Sequence, residues 1–308
     1  MKKLLLILLC LPVVALAQQT YVPDDNFEAY LEANGMGNGI ANDDYVTTSN
    51  ISFVTSLVID WFSIGDLTGI EDFTSLTHLD CEGNNLITLN LTNNILLDTL
   101  NCSYNQITNI DVTNNENLIY FNCCFNQLIS IDVTNNSHLD FLVTEANQIS
   151  FLDLSQNSQL RYLEVESNLL TTLDVSSNTL LETLMFGDNQ VASINLLNNV
   201  NLIGLYCSYN LLTALDVSMN YSLERLFCSN NLLTTLDLSQ NFNLIDVRCY
   251  SNQLMSLNVK NGNNSNFFVF TSLYNPNLTC INVDDSTYSA NNWTGNFPNF
   301  QFDPQHYF

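Results

Sequence analysis

The sequence predicts a solenoid of short parallel β-strands, stacked in coils of one fixed length behind a short helical N-terminal cap. Three observations carry this. First, Leu76, Leu97, Leu118, Leu139, Leu160, Leu181, Leu202, Leu223 and Leu244 recur at every twenty-first position. Second, relative to each of them an apolar residue follows at +3, +10, +13 and +15, and an asparagine at +8, from Asn84 to Asn252 without exception. Third, each unit divides into two unequal halves, the first one position shorter than the second, and each half holds a short alternating segment. Alternation of period 2 marks a strand with one buried face, and neither half has room for a helix of useful length. One unit is then one coil with two short strands roughly facing each other. Stacked coils give two parallel sheets with a rung spacing of about 4.8 Å.

In chain order, residues 1–17 read as a signal peptide. Lys2 and Lys3 form its basic start, Leu4 to Val14 its apolar stretch, and Ala15-Leu16-Ala17 its cleavage site. Cys10 leaves with it. No later apolar run is long enough to cross a bilayer, so no membrane span is expected. Residues 18–56 form the N-terminal cap, with Asp25 placed as N-cap of an amphipathic helix and Glu28 completing a capping box. A repeat of separate pattern covers 57–75, the nine 21-residue units cover 76–264, and a terminal repeat with a C-terminal cap covers 265–308. Within the units the +8 asparagines, and a second column from Asn94 to Asn241, sit where each strand turns. Their amides are expected to bond the turn backbone, and stacked copies to bond one another.

The pattern Leu76-x-x-Leu79-x-Cys81-x-x-Asn84, followed by Leu86-x-x-Leu89-x-Leu91-x-x-Asn94, resembles the bacterial secreted leucine-rich repeats of the nested 21-residue class, LxxLxCxxNxLxxLDLSxNxx (the IRREKO type). Residues 76–264 follow it almost position by position. Leu57-x-Ile59, Ile64-x-Asp66-Leu67-x-Gly69-Ile70 and Phe73 are similar to one internalin-type repeat, a unit one position longer. The segment 21–35 is similar to the helical cap of the same surface proteins, and 275–294 to their closing repeat. The resemblance implies a right-handed leucine-rich-repeat solenoid, mainly short parallel β-strands, used as a scaffold for recognition. It implies little about activity, because a fold is a scaffold on which different sites are built.

The chain of 308 residues carries 6 Lys and Arg against 31 Asp and Glu, a net charge of −25. Such a surface repels phosphate backbones and anionic lipid heads, which argues against nucleic acid and membrane surfaces as partners. The same charge keeps a long exposed array soluble.

Six cysteines share the +5 column, Cys81, Cys102, Cys123, Cys207, Cys228 and Cys249, while the intervening units put Thr144, Val165 and Phe186 there. A disulfide framework, a metal site and a packing column are the candidates. A column that accepts Val and Phe points inward. In-register parallel strands hold neighbouring Cβ atoms about 4.8 Å apart, whereas a disulfide wants about 3.8 Å. Two runs of three would each strand a thiol. Zinc would want His or CxxC spacing, and neither is present. The expected role is a stack of small buried hydrophobes. Cys124 and Cys280 fall outside the column, about seven rungs apart at about 4.8 Å each, and cannot pair.

A column that stays uniform across the units is held by structure, and one that varies is free for function. Position +14 is Asp or Asn in every unit, from Asn90 through Asp111, Asp132, Asp153 and Asp174 to Asn258. The first strand's outward columns vary. Tyr120, Phe141 and Tyr162 fall on three successive rungs at +2, with Arg225 further along the same column, and Tyr206, Phe227 and Arg248 are adjacent at +4. Aromatic residues with arginine are the usual make-up of an interface hot spot, and these seven are the candidate ligand-binding residues. Aromatics stacked across strands also stabilise a sheet by their own packing, so both roles stand open. Four Asp in succession, 111 to 174, would repel one another by roughly 0.9 kcal/mol per pair in water, and either recruit Ca²⁺ or bond their Ser and Thr neighbours in a solvated face. His78, His138 and His306 are isolated, with no nucleophile motif or phosphate loop nearby, so no enzyme, cofactor or resident metal is expected. The sequence reads as an exported, non-enzymatic recognition module, monomeric and secreted or at the cell surface, that binds a protein or glycan through the variable sheet face. The alternative is an adhesive cell-surface spacer, calcium-linked through the Asp ladder.

Overall fold

The structure, a computed structural model, describes residues 18–293 and the backbone of 301–302. The signal segment expected over 1–17, and most of the C-terminal cap beyond 293, lie outside the described residues.

The N-terminal cap begins with β1 (Gln19–Tyr21), α1 (Asp25–Ala33), β2 (Tyr45–Thr47) and α2 (Thr48–Ile51), with β1 and β2 antiparallel. The N-cap of α1 is Asp24, not the expected Asp25. Its Oδ1 accepts from the backbone N–H of Asn26 and Phe27 at 3.0 Å, and its Oδ2 from Gly65 and Asp66 at 2.7 and 3.1 Å. Either acidic residue satisfies a capping pattern, and the tie to the first coil selects Asp24. With the cap at Asp24 the third helical residue is Phe27, which has no acceptor, so no capping box forms. Glu28 is instead buried, accepting from the backbone of Asp43 and Asp44 at 3.1 and 3.3 Å. Phe27 and Leu31 pack into the core, Phe27 against Phe73 at 6.2 Å between ring centroids.

The body is an 11-stranded parallel sheet with one strand per coil. Its members are β3 (Ser56–Val58), β4 (His78–Asp80), β5 (Thr99–Asn101), β6 (Tyr120–Asn122), β7 (Phe141–Val143), β8 (Tyr162–Glu164), β9 (Thr183–Met185), β10 (Gly204–Tyr206) and β11 (Arg225–Phe227). After β12 (Thr235–Asp237) the sheet continues with β13 (Asp246–Arg248) and, past β14 (Ser256–Asn258), ends at β15 (Val269–Thr271). Leucine-on-leucine register recurs along it, for example Leu79↔Leu100 and Leu163↔Leu184. These inward leucines are fully buried, each contributing about 1.5–3 kcal/mol of apolar burial. The cysteine column stacks behind them, also fully buried, and all six thiols are free. At the far end Phe267, Phe270 and Trp293 close the core, the last two 4.5 Å apart after β16 (Cys280–Asn282) and α3 (Ser286–Asn292).

The expected second sheet is mostly absent. Among the described residues, strands on that side are confined to β12, β14, β16 and β17 (Gln301–Phe302). The spacing of the coils explains it. Near β14 the Met255 N–H reaches the Thr234 carbonyl at 2.8 Å, whereas the equivalent bond from Thr108 to Ile87 is stretched to 3.4 Å. The second side is open beyond good ladder geometry in the early coils and closes only in the last ones. The inward column at +13 registers the same change: Leu89 is 7% and Ile131 9% exposed, against 2% for Leu236 and 1% for Leu257.

The asparagines fasten coil to coil. Asn147 donates its side-chain amide to the carbonyls of Thr144 and Glu145 in its own turn and of Cys123 in the coil before, while its Oδ1 accepts from Leu128 N at 2.9 Å. The column from Asn94 to Asn241 likewise donates to carbonyls of the preceding coil, as Asn136 does to Val112 and Asn115. Bonding between stacked side chains, the other expectation, is not the pattern; the backbone is the partner. The residue before each +8 asparagine is left-handed, with φ of 53° at Tyr104, 52° at Phe125 and 59° at Tyr209. That conformation costs a non-glycine residue roughly 1–2 kcal/mol, which the asparagine bonds beside it offset.

Candidate functional site

The outward face of β4–β13 carries all seven candidate residues and gathers six of them into two clusters. Tyr120, Phe141 and Tyr162 are direct register partners on β6, β7 and β8. Their rings stack at 4.8 and 4.1 Å with interplanar angles of 12° and 8°. All three are half-buried, so stacking consumes the ring faces and leaves the edges outward. Tyr162 donates from its hydroxyl to Glu164 at 2.7 Å; burial first, then that carboxylate, pushes its phenol well up. In the second cluster Tyr206 meets Phe227 edge to face at 4.8 Å. The Arg248 guanidinium lies 4.2 Å from the centre of the Phe227 ring and forks onto Asp246 with two bonds of 3.0 Å. Arg225 stands apart, exposed and without a side-chain partner among the described residues.

Between the clusters lies a feature that the +2 and +4 columns alone did not reveal. Glu145 and Glu166, at +6, meet Glu164 with carboxylate oxygens all within 4.8 Å of one another. Burial first, then the neighbouring carboxylates of Glu164 and Glu145, pushes Glu166 up to about 7. Glu145 is raised as well, by burial and by Glu164. Beside Glu166 a hollow of about 410 Å³ opens over Gly187, walled by Met185, Tyr206, Phe227 and Asp188. The signal was in the sequence: +6 reads Cys124, Glu145, Glu166, Gly187, Ser208, with one member lacking a side chain. A second aromatic row stands at the turns after the strands. Trp61, Tyr104 and Phe125 occupy the left-handed turn position, with centroids 6.1 and 4.5 Å apart, and Trp61 lies over Gly83.

The opposite, repetitive face is built differently. Each +14 carboxylate accepts the backbone N–H two residues on, as Asp132 does from Thr134 at 3.0 Å and Asp153 from Ser155 at 2.9 Å. The Thr or Ser hydroxyl first, then the backbone bond, holds Asp111, Asp132, Asp174 and Asp216 below the ordinary carboxylate range, and at Asp153 the backbone bond leads. Among the described residues the carboxylate groupings close enough to share an ion are Asp25–Glu28–Asp44 and Glu145–Glu164–Glu166, and the Asp column belongs to neither. His138 sits exposed in an inter-coil turn, its Nδ1 3.2 Å from the Glu116 carbonyl. His306 lies outside the described residues.

The solved functional domain of InlJ from Listeria monocytogenes, which includes a cysteine ladder, superposes with a TM-score of 0.74 at 32% identity, covering 93% of this chain and 62% of that domain. The chain is a leucine-rich-repeat solenoid of internalin-like architecture. Over 74 residues it is 38% identical to Internalin J of Listeria monocytogenes serotype 4b, a stretch that is 24% of this chain and 8% of that protein. The internalin InlF of the same species shares the fold at a TM-score of 0.67 and 20% identity, with 93% of this chain and 97% of InlF covered. No family model matches the chain. The chain thus spans a small part of the curated Internalin J and under two thirds of the InlJ domain. Among the described residues no helix is long and apolar enough to cross a membrane.

Proposed function

We propose that the protein is an exported recognition module, without a reaction of its own, that captures a protein or glycan partner on the outward face of its long sheet. The observation that carries this is the contrast within one coil. The first strand's backbone is satisfied by its ladder, and over it the side chains vary and collect two aromatic clusters. Tyr120, Phe141 and Tyr162 offer one contact area; Tyr206, Phe227 and Arg248 offer the other, with Arg225 exposed on the strand that carries Phe227. Binding energy in such surfaces is concentrated in a few aromatic and arginine residues.

The test is a paired capture assay from the native surroundings, with folding checked by circular dichroism. Tyr162→Ala or Phe227→Ala is expected to weaken capture by about 2 kcal/mol, roughly thirtyfold. The double change Asp153→Asn with Asp174→Asn should leave it nearly intact. The reverse result would move the working face to the acidic side and replace recognition with the adhesive, calcium-linked spacer.

A further inference from the structure

The hollow over Gly187 has a chemistry that says what fits it. Gly187 is not in the left-handed region, so its turn does not demand glycine. What glycine supplies is room: a Cβ there would stand 2.6 Å from Glu166 Oε1 and 3.2 Å from the Ser208 carbonyl. That room is taken by the Glu166 carboxylate, and the hollow beside it, about 410 Å³, lies in the range of small-ligand sites. Its wall is Met185, Tyr206 and Phe227, and its rim carries two carboxylates, Glu166 and Asp188, with Glu164 and Glu145 behind Glu166. An apolar aromatic floor under an acidic rim repels anions, and a bare metal ion would leave the rings unused. It suits an organic cation with a slender apolar stem.

The fold already shows the pairing once, from its own sequence. On the same Phe227 ring, Arg248 sits 4.2 Å from the centre while Asp246 takes its guanidinium in a fork. The hollow offers the same two partners one coil earlier: a ring wall from Tyr206 and Phe227, and a carboxylate from Glu166 or Asp188. The charge of −25 on the whole chain draws a basic partner in and holds an acidic one off.

Resting on the reading that this face takes a partner, we infer that the Gly187 hollow receives a cationic side chain, arginine or lysine, from a protein ligand. Arginine fills it better, because a planar guanidinium stacks on the rings while its fork meets a carboxylate.

The experiment uses the full chain and capped peptides Gly-Gly-X-Gly-Gly, with X arginine, lysine or citrulline, followed by saturation-transfer NMR. Citrulline keeps the shape and removes the charge. The arginine and lysine peptides are expected to bind on the order of 1 mM, arginine the tighter, and the citrulline peptide at least tenfold more weakly. Glu166→Gln should weaken the arginine peptide at least fivefold. Asp132→Asn, which at the assay pH of 8 removes the same full charge from the opposite side of the coil, should not. Gly187→Ala closes the hollow by displacing Glu166 and should abolish the signal. Equal binding of arginine and citrulline, or equal losses in Glu166→Gln and Asp132→Asn, would overturn the assignment. If that happens while Phe227→Ala still costs capture of the native partner, the pocket falls and the recognition face stands. If the peptides behave as expected but neither Phe227→Ala nor Tyr162→Ala affects capture, the face reading falls, and the hollow with it as a partner site.

Discussion

The two sides of each coil obey the same alternation and end up with different freedoms. On the first side the strands hydrogen-bond into one continuous ladder, so the strand backbone has its partners regardless of the side chains outside. The +6 N–H just beyond the strand takes a side-chain acceptor in only some coils, from Asp80, Asn101 and Asn122. Outward residues can then be Tyr, Glu, Met or Arg without structural penalty. On the second side the coils stand too far apart for a ladder over most of the stack, and in open coils and the laddered last ones alike the N–H at +16 is taken by the +14 Asp or Asn. There the residue type is dictated. Uniformity marks where the backbone depends on a side chain, and variety marks where it does not. Variation is thus permission for function, and the aromatic clusters and the hollow occupy the permitted side.

The largest consequence concerns the sealed side. The six column cysteines are fully buried, and burial pushes their thiols up, Cys249 to about 12. Alkylation without reductant should leave all six unlabelled in the folded chain and label all six in denaturant. Cys280, partly exposed, should react in the folded state. Mass spectrometry that found reproducible bridges between neighbouring rungs would end the packing account. Next in size is the turn that joins the sides. Asn147→Ala removes four hydrogen bonds and leaves buried backbone groups unpaired, so about 1–3 kcal/mol of destabilisation is expected in denaturant titration. The same change at exposed Asn117, which holds one carbonyl at 3.0 Å, should cost far less. Equal losses would mean that the coil is not fastened at its +8 corner.

A third prediction sharpens the contrast through pH, because carboxylates shift in opposite directions on the two sides. Glu166, at about 7 in the folded chain against an ordinary 4.5, holds its proton more tightly folded than unfolded. Stability from this group is therefore greatest at low pH and declines as pH rises from 4.5 to 7, with the full cost present above 7. Glu166→Gln should raise the denaturation midpoint relative to the parent at pH 8 and leave it nearly equal at pH 4.5. A constant offset at both would show that burial, not charge, governs this site. The raised Glu145 leaves part of the slope in the variant.

Much of this was legible because a fixed repeat length decides which residues share a column. The inward leucines, the buried cysteines, and the stacking of Tyr120, Phe141 and Tyr162 follow from register alone. Other features depend on quantities that a pattern does not hold. Alternation tells which side of a segment is buried but not how far apart coils stand, so the second sheet was expected at full length. Asp24 and Asp25 are equivalent caps until Gly65 and Asp66 arrive to choose between them. The Gly187 hollow needs adjacent coils side by side, though a glycine in a column of Cys, Glu and Ser was its trace.

The smallest expected effect tests the dictated side directly. Asn90, Asn195 and Asn258 already stand in the Asp column, and each accepts the N–H two residues on, at 3.2, 3.1 and 3.1 Å. An amide oxygen therefore serves as well as a carboxylate, and Asp132→Asn should shift the denaturation midpoint within experimental scatter at neutral pH. Asp132→Ala removes the acceptor for Thr134 N and its hydroxyl and should cost on the order of 0.5 kcal/mol, since the site is exposed and water competes. The depressed carboxylate adds a pH signature: its contribution is present above the ordinary value of 3.8 and is lost as pH falls through the lower folded value. Asn lacks that titration, so the parent should lose stability relative to Asp132→Asn only on acidification. If the Asn variant were instead as damaged as Ala at neutral pH, the negative charge itself would be what this face requires, and a bound cation would become the explanation for its uniformity.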